Sequence, residues 1–172
     1  MKVRFPTINT PVPSSAQARA LAQELRDFYE EIADRLDSDD VEAFPGYFVE
    51  DGCYQVISRE NFSQDLPVAA LYCDGMDMLR DRVVALRESQ VYVPRTWRHF
   101  ISGVRVMGEQ GAEIHARANF LVTECMADKE PTVFLLGQYQ DILTRIDGRL
   151  LFKQHLAIYD NHHIKRSLIV PV

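Results

Sequence analysis

The sequence predicts an α+β fold, on three observations. Helix signals dominate the first half of the 172 residues, long β-forming runs fill the second half, and turn residues separate those runs as consecutive antiparallel strands require. The first helix begins after Ser14 or Ser15, either of which suits an N-cap, and carries Leu21, Leu25, Phe28, Ile32 and Leu36 on one stripe. Asp39 and Asp40 precede a short second helix over 41–44, which Pro45-Gly46 stops. A β-like segment follows at 53–58. The third helix spans 76–87, with Leu79, Val83 and Leu86 as its buried edge.

Four strands complete the pattern, at 97–106, 112–125, 132–144 and 149–159. The expected shape is a strongly bent antiparallel sheet wrapped around the N-terminal helices, in one domain over 16–172. Residues 1–15, with the Pro-rich stretch 6–15, form an extended arm ahead of it.

Turn chemistry assigns the faces. Glu109-Gln110-Gly111 suits a three-residue loop with Gly111 left-handed, and Asp147-Gly148 suits a two-residue type I′ turn. That register puts Phe100, Val104, Val106, Ile114, Ala116, Ala118, Phe120 and Val122 toward the helices. In the second hairpin it sends Val133, Leu135, Tyr139, Leu143, Phe152, Leu156 and Ile158 the same way, with Tyr139 opposite Leu156. The opposite face collects Trp97, His99, Arg105, His115, Arg117, Asn119, Gln138, Gln140, His155 and Tyr159. Its mixture of polar and large apolar groups suits a subunit interface, centred on Trp97, His99, Arg105, Arg117 and Tyr159.

Composition excludes several classes. Apolar residues make up 47% and charged residues 26%, the balance of an ordinary globular protein. A net charge of −6 with dispersed Arg and Lys argues against nucleic acid. No apolar run approaches the roughly 20 residues of a membrane span, and the start lacks a signal-peptide core. Cys53, Cys73 and Cys125 are odd in number and widely spaced, which points to reduced thiols in a cytoplasmic protein.

Catalytic signals are weak. No His-Glu-x-x-His, Rieske cluster, P-loop, dinucleotide or nucleophile-elbow pattern occurs. His99, His115 and His155, with Glu113 nearby, form the one constellation with metal-ligand residue types, against which stands the plainer reading of surface or interface histidines. His162-His163 falls in a C-terminal loop. Asp51, Tyr54, Tyr139 and Asp141 are the candidates for acid–base chemistry inside a cone. Their plainer readings are a turn Asp, two packed aromatics and a local ion pair. Arg80, Arg82, Arg95, Arg98, Arg105 and Arg117 suit either an acidic-substrate clamp or salt bridges and interfaces.

Three runs are less generic. They are Tyr-Phe-Val-Glu-Asp-Gly-Cys-Tyr-Gln-Val-Ile-Ser-Arg-Glu-Asn at 47–61, Asp-Met-Leu-Arg-Asp-Arg-Val at 77–83 and Pro-Arg-Thr-Trp-Arg-His-Phe-Ile-Ser-Gly-Val-Arg-Val at 94–106. With Gly-Arg-Leu-Leu-Phe-Lys at 148–153, their order and spacing resemble the β subunits of aromatic-ring-hydroxylating dioxygenases, from about residue 18 onward. Gly103 departs from the pattern, since many relatives have Asn there.

The resemblance implies a nuclear-transport-factor-2-like (SnoaL-like, cystatin-like) cone and a non-catalytic structural role beside a large α subunit, usually in an α3β3 hexamer. It further implies that the Rieske 2Fe-2S cluster and mononuclear iron sit on that α subunit, with electrons from NAD(P)H arriving through a reductase and often a ferredoxin. No catalytic, cofactor or metal residue is then expected on this chain. The sequence around Val56–Asn61, Cys73–Met76 and 90–92 looks nearer to enzymes for substituted benzoates such as salicylate or anthranilate. Two alternatives remain beside it: a stand-alone isomerase, dehydratase or cyclase using a Tyr/Asp or His/Asp pair, and a small-ligand or dimerisation module.

Overall fold

The computed structural model describes residues 15–88, 93–161, 164, 168 and 170–172. The expected arm, apart from Ser15, lies outside these residues, as do positions 90–92 and the His162-His163 pair. Helix α1 runs Ala16–Asp37, and the Ser15 hydroxyl oxygen accepts the Ala18 amide at 3.1 Å to cap it. A 3₁₀ helix spans Val41–Tyr47, and strand β1 follows at Phe48–Ser58. Helix α2 (Arg59–Ser63), strand β2 (Leu71–Asp74) and helix α3 (Met76–Glu88) lead to the long strands β3 (Thr96–Gln110), β4 (Glu113–Cys125), β5 (Thr132–Ile146) and β6 (Arg149–Tyr159).

All six strands form one sheet in the order β2-β1-β6-β5-β4-β3. The α+β class holds as expected. The sheet is not purely antiparallel, because β1 lies parallel to β6, with β2 at the edge beyond it. The short α2 and β2 were not expected; α2 lacks the length for a periodic stripe, and β2 has one buried residue in four. The predicted helices and the four long strands match within a few residues.

Its concave face packs on α1, the 3₁₀ helix and α3, and one core cluster fills the space between. Leu25, Phe28, Tyr29, Ile32 and Leu36 are the buried stripe of α1, at helical spacing. On the convex face, the segment through α2 toward β2 covers one end: Phe62 and Ala69 pack on Ile57, Leu156 and Ile158.

Bulges decide which side chains face inward. An extra residue at Gly103, whose φ is +62°, shifts the phase of β3 between Ser102 and Arg105. Before the bulge, Trp97, His99 and Ile101 therefore face the core with Glu124, Val122 and Phe120, while Phe100 is 54% exposed. The uniform alternation expected from 97 to 106 fails there. A bulge at Phe134 likewise turns Val133 out and puts Phe134 against Trp97, ring centroids 4.9 Å apart.

A further bulge, at Lys153, rephases β6. Tyr139 is opposite Ala157 rather than Leu156; His155 and Tyr159 face inward, and Leu156 and Ile158 face outward. Ile146 pairs with Arg149, with Asp147 at φ +49° and Gly148 at φ +80° as a type I′ turn demands. Gly111 is left-handed as expected, but Gln110 pairs with Glu113, so that loop has two residues, not three.

Candidate functional site

Polar chemistry inside the cone converges on Asp141, which is fully buried in the middle of β5. Its Oδ2 accepts the Tyr29 hydroxyl of α1 at 2.5 Å. Its Oδ1 lies 2.9 Å from His155 Nδ1 and accepts the Leu156 amide at 3.1 Å. The backbone bond and the imidazole come from β6, directly across from Asp141 in the sheet. A buried carboxylate is tolerated only when its oxygens are paired in this way.

Aromatic rings enclose the group. His155 stacks on Phe152 at 4.4 Å and on Tyr54 at 5.4 Å, and Tyr139 stacks on Phe120 at 4.5 Å and on Tyr29 at 5.9 Å. Burial, and then the charge of Asp141, push the Tyr29 phenol well above its ordinary value. Burial does the same to Tyr139 and raises Tyr54. These phenols are hydrogen-bond donors, not bases, at neutral pH.

The C-terminal segment closes the cone. Val170 and Val172 are buried in the core cluster. The Tyr54 hydroxyl accepts the Val172 amide at 2.9 Å and donates to the Val172 carbonyl oxygen at 3.3 Å. His99 ties the same segment to the end of α1: its Nδ1 is 2.7 Å from Asp37 Oδ1, and its Nε2 is 3.3 Å from the Pro171 carbonyl oxygen. Between Tyr29, His99, Tyr139, His155 and Val172, the space open to the centre of a water-sized sphere is about 10 Å³. That admits on the order of one water, and not an aromatic substrate.

The residues expected to share an outer face are divided. Trp97, His99 and Tyr159 point inward for the reasons of phase given above; the His99 side chain is 2% exposed. Arg105 and Arg117 do lie on the outer face, opposite one another across β3 and β4. The histidines do not converge either, since His115 is on the outer side of β4 while His99 and His155 are inside. Glu113 reaches Lys153 at 2.6 Å and His115 at 3.8 Å. Among the described residues no group of three or more His, Cys, Asp or Glu is gathered as a metal ion needs.

Of the acid–base candidates, Tyr54, Tyr139 and Asp141 are inside the cone, and Asp51 is exposed in β1 beside its irregular stretch, not in a turn. Two of the arginines are in salt bridges, Arg95 with buried Glu124 and Arg98 with Asp37, while Arg82 donates a hydrogen bond to the Leu168 carbonyl oxygen. Sequence reasoning missed Tyr29 and His155 as partners of Asp141. Tyr29 follows Phe28 on the helical stripe and reads as one more apolar contact. His155 was assigned outward because the bulge at Lys153 has no turn residue to announce it.

No helix among the described residues is long and apolar enough to cross a membrane. The model of the family described as "Ring hydroxylating beta subunit" matches residues 32–166. The chain is 34% identical to the small subunit of anthranilate 1,2-dioxygenase from Burkholderia cepacia, over 80% of this chain and 85% of that one. It is 31% identical to beta subunit 1 of the terminal oxygenase component of terephthalate 1,2-dioxygenase from a Comamonas species, over 81% and 91%. A crystal structure of a beta subunit assigned to an aromatic-ring-hydroxylating dioxygenase of Novosphingobium aromaticivorans superposes with a TM-score of 0.83 at 34% identity, covering 91% of this chain and 99% of that one.

Proposed function

The chain belongs to the ring hydroxylating beta subunit family, and from that premise we propose that it is the structural small subunit of a Rieske non-haem iron aromatic-ring-hydroxylating dioxygenase. Its partner is a large α subunit that holds the 2Fe-2S cluster, the mononuclear iron and the substrate. The assembly is α3β3, with other copies of this chain in contact, and it works in the cytoplasm with a reductase or ferredoxin supplying electrons from NAD(P)H. The substrate class is an aromatic acid, a substituted benzoate such as anthranilate or salicylate, as the anthranilate and terephthalate relatives suggest.

The observation that carries this reading is the closed interior of the cone. Among the described residues the concave face is packed around Asp141, and the space beside it has room for about one water and none for an aromatic ring. The chain's role is then to present surface to a catalytic neighbour. Purified alone, the chain is expected to be colourless and inactive. Co-expressed with its large subunit, it is expected to give a 1:1 complex with Rieske absorption that oxygenates an aromatic acid. Turnover of such a compound by the isolated chain would overturn the proposal.

One observation favours a second reading. The Tyr29–Asp141–His155 cluster has the residue types of an acid–base enzyme. Against it, every polar atom of the Asp141 carboxylate is already engaged within the fold. The Asp141→Asn variant separates the two: a folded variant complex that keeps full oxygenase turnover leaves the cluster structural.

A further inference from the structure

The convex face of the sheet is covered at one end and open at the other. Phe62 and Ala69 shield Ile57, Leu156 and Ile158 at the β1 and β6 end. On β3, β4 and β5 the corresponding face is exposed at Phe100, Ser102, Arg105, Asn119 and Leu136, where three cross-strand rows stand in register. Phe100, Leu121 and Leu136 form an apolar row. Ser102, Asn119 and Gln138 form an amide-rich row beside it, with Gln138 Nε2 donating to Asn119 Oδ1 at 3.3 Å. Arg105, Arg117 and Gln140 form the third.

Two features of these rows are costly in an isolated subunit. Phe100 and Leu136 are 54% and 40% exposed although they are neighbours of Leu121 on one surface. Arg105 and Arg117 stand directly opposite one another, an arrangement of like charges that disfavours the sheet, and no carboxylate of a described residue bridges them. Two bulges in β3 create them: the one at Gly103 turns Phe100 outward, and the stretch between it and a second irregularity, between Val106 and Gly108, sets Arg105 opposite Arg117.

We infer that these rows are the docking anchor for the large oxygenase subunit, and that the surface seated there carries apolar side chains over Phe100, Leu121 and Leu136 and at least one carboxylate between Arg105 and Arg117. Arginine forks pair bidentately with carboxylates, and an apolar centre beside a polar, charged rim is the ordinary anatomy of an interface. A second copy of this chain presenting the same patch does not satisfy it. One register places four arginines together; another sets arginines against the apolar row; neither supplies a carboxylate. Three rows of three residues cover roughly 10 by 14 Å, far below the roughly 800 Å² per side of a stable interface. The rows are therefore its anchor, not its whole extent.

The inference rests on the proposed partnership with a large subunit, and the experiment separates the two. The full chain and its large subunit are co-expressed as wild type, Arg117→Glu, the double variant Phe100→Ser/Leu136→Ser, and Lys129→Glu as a control on the exposed β4–β5 turn. Complex affinity is measured by sedimentation, and each free chain is checked by thermal melting and for its own oligomeric state. A photo-crosslinking phenylalanine analogue is placed at position 136 in the purified complex. The expected result is affinity lost by about 30-fold or more, the scale of a hot spot, in Arg117→Glu and the double variant. Their melting is not lowered, since Arg117→Glu relieves the like-charge pair with Arg105; Lys129→Glu binds as wild type, and the crosslink joins the large subunit. Wild-type affinity in both patch variants overturns the inference while leaving the partnership intact. A crosslink to another copy of this chain overturns the choice of occupant. Failure of the wild-type chain to bind any large subunit removes the partnership itself.

Discussion

The Tyr29 hydroxyl and the Asp141 carboxylate meet at 2.5 Å across 112 residues of sequence. The contact pins the middle of α1 to the middle of β5, deep in the cone. Because His155 and the Leu156 amide share the same carboxylate, one side chain joins α1, β5 and β6. Removing it leaves several buried polar groups unpaired at once.

Asp141→Ala is therefore expected to cost about 3–5 kcal/mol of folding stability, the range for breaking a buried hydrogen-bonded pair. Asp141→Asn keeps the shape and one acceptor, and is expected to lose about 1–3 kcal/mol. Urea unfolding of the isolated variants measures both. Equal losses in the two would show that packing volume, and not the carboxylate's hydrogen bonds, matters at this position.

Two glycines separate backbone strain from steric collision. At Gly103 a Cβ would meet the movable end of Asn119 at 2.9 Å, but φ is +62°. Gly103→Ala is expected to cost about 1–2 kcal/mol from the left-handed backbone. At Gly137 a Cβ would fall 2.0 Å from the Ile158 carbonyl oxygen, which is backbone of the neighbouring strand. Gly137→Ala must push β5 and β6 apart, and is expected to reach or exceed the top of the ~1–3 kcal/mol range for overpacking. Paired denaturation curves test the ranking; a Gly137→Ala protein as stable as Gly103→Ala would contradict it.

Much of the fold was legible because its signals are local. Ser15 caps α1, Asp147-Gly148 sets a type I′ turn, and the α1 stripe repeats at helical spacing. Face assignment needs more than local signals. Each bulge adds one residue with a period-2 pattern on either side, so every side chain beyond it changes face. Trp97, His99, His155 and Tyr159 were placed outside for that reason, and Phe100 and Val133 inside. The Asp141 cluster was half visible: Asp141 and Tyr139 stood among the acid–base candidates, with a local ion pair as the plainer reading of Asp141, but its partners are fixed only by the tertiary fold. Gly103 was noticed as a departure from the family pattern. What it does, rephasing β3, appears only in the strand register.

An exposed acid–base network ties α3 to the turn after α1. Arg87 bonds Glu42 Oε1 at 2.6 Å and Asp39 at 3.0 Å. The hydrogen bond from Arg87 holds the Glu42 carboxyl down from 4.5 to about 2. A depressed carboxyl favours the fold above its unfolded value, and that contribution disappears as the pH falls from about 4.5 to about 2. The Glu42 side chain is 55% exposed and that of Arg87 31%, so the effect is expected to be small and screened by salt. An NMR titration should show Glu42 protonating near its depressed value in wild type and near the ordinary one in Arg87→Met. An unchanged Glu42 titration in the variant would remove Arg87 as the cause.

The clamp on the C-terminal segment makes the last prediction. Tyr54 satisfies both backbone groups of Val172 with one hydroxyl, 2.9 Å from the amide and 3.3 Å from the carbonyl oxygen. The hydroxyl is buried and its ring is packed by those of Phe44, Phe48 and His155. Tyr54→Phe keeps the ring packing and deletes only the clamp. A lost buried hydrogen bond is worth about 1–1.5 kcal/mol, roughly tenfold in the opening equilibrium. Hydrogen exchange at Val172 is then expected to rise by about that factor, while exchange in β5, held by Asp141 and its partners, stays as in wild type. Uniformly faster exchange in both places would mean that the hydroxyl supports the whole cone and not the closure of its mouth.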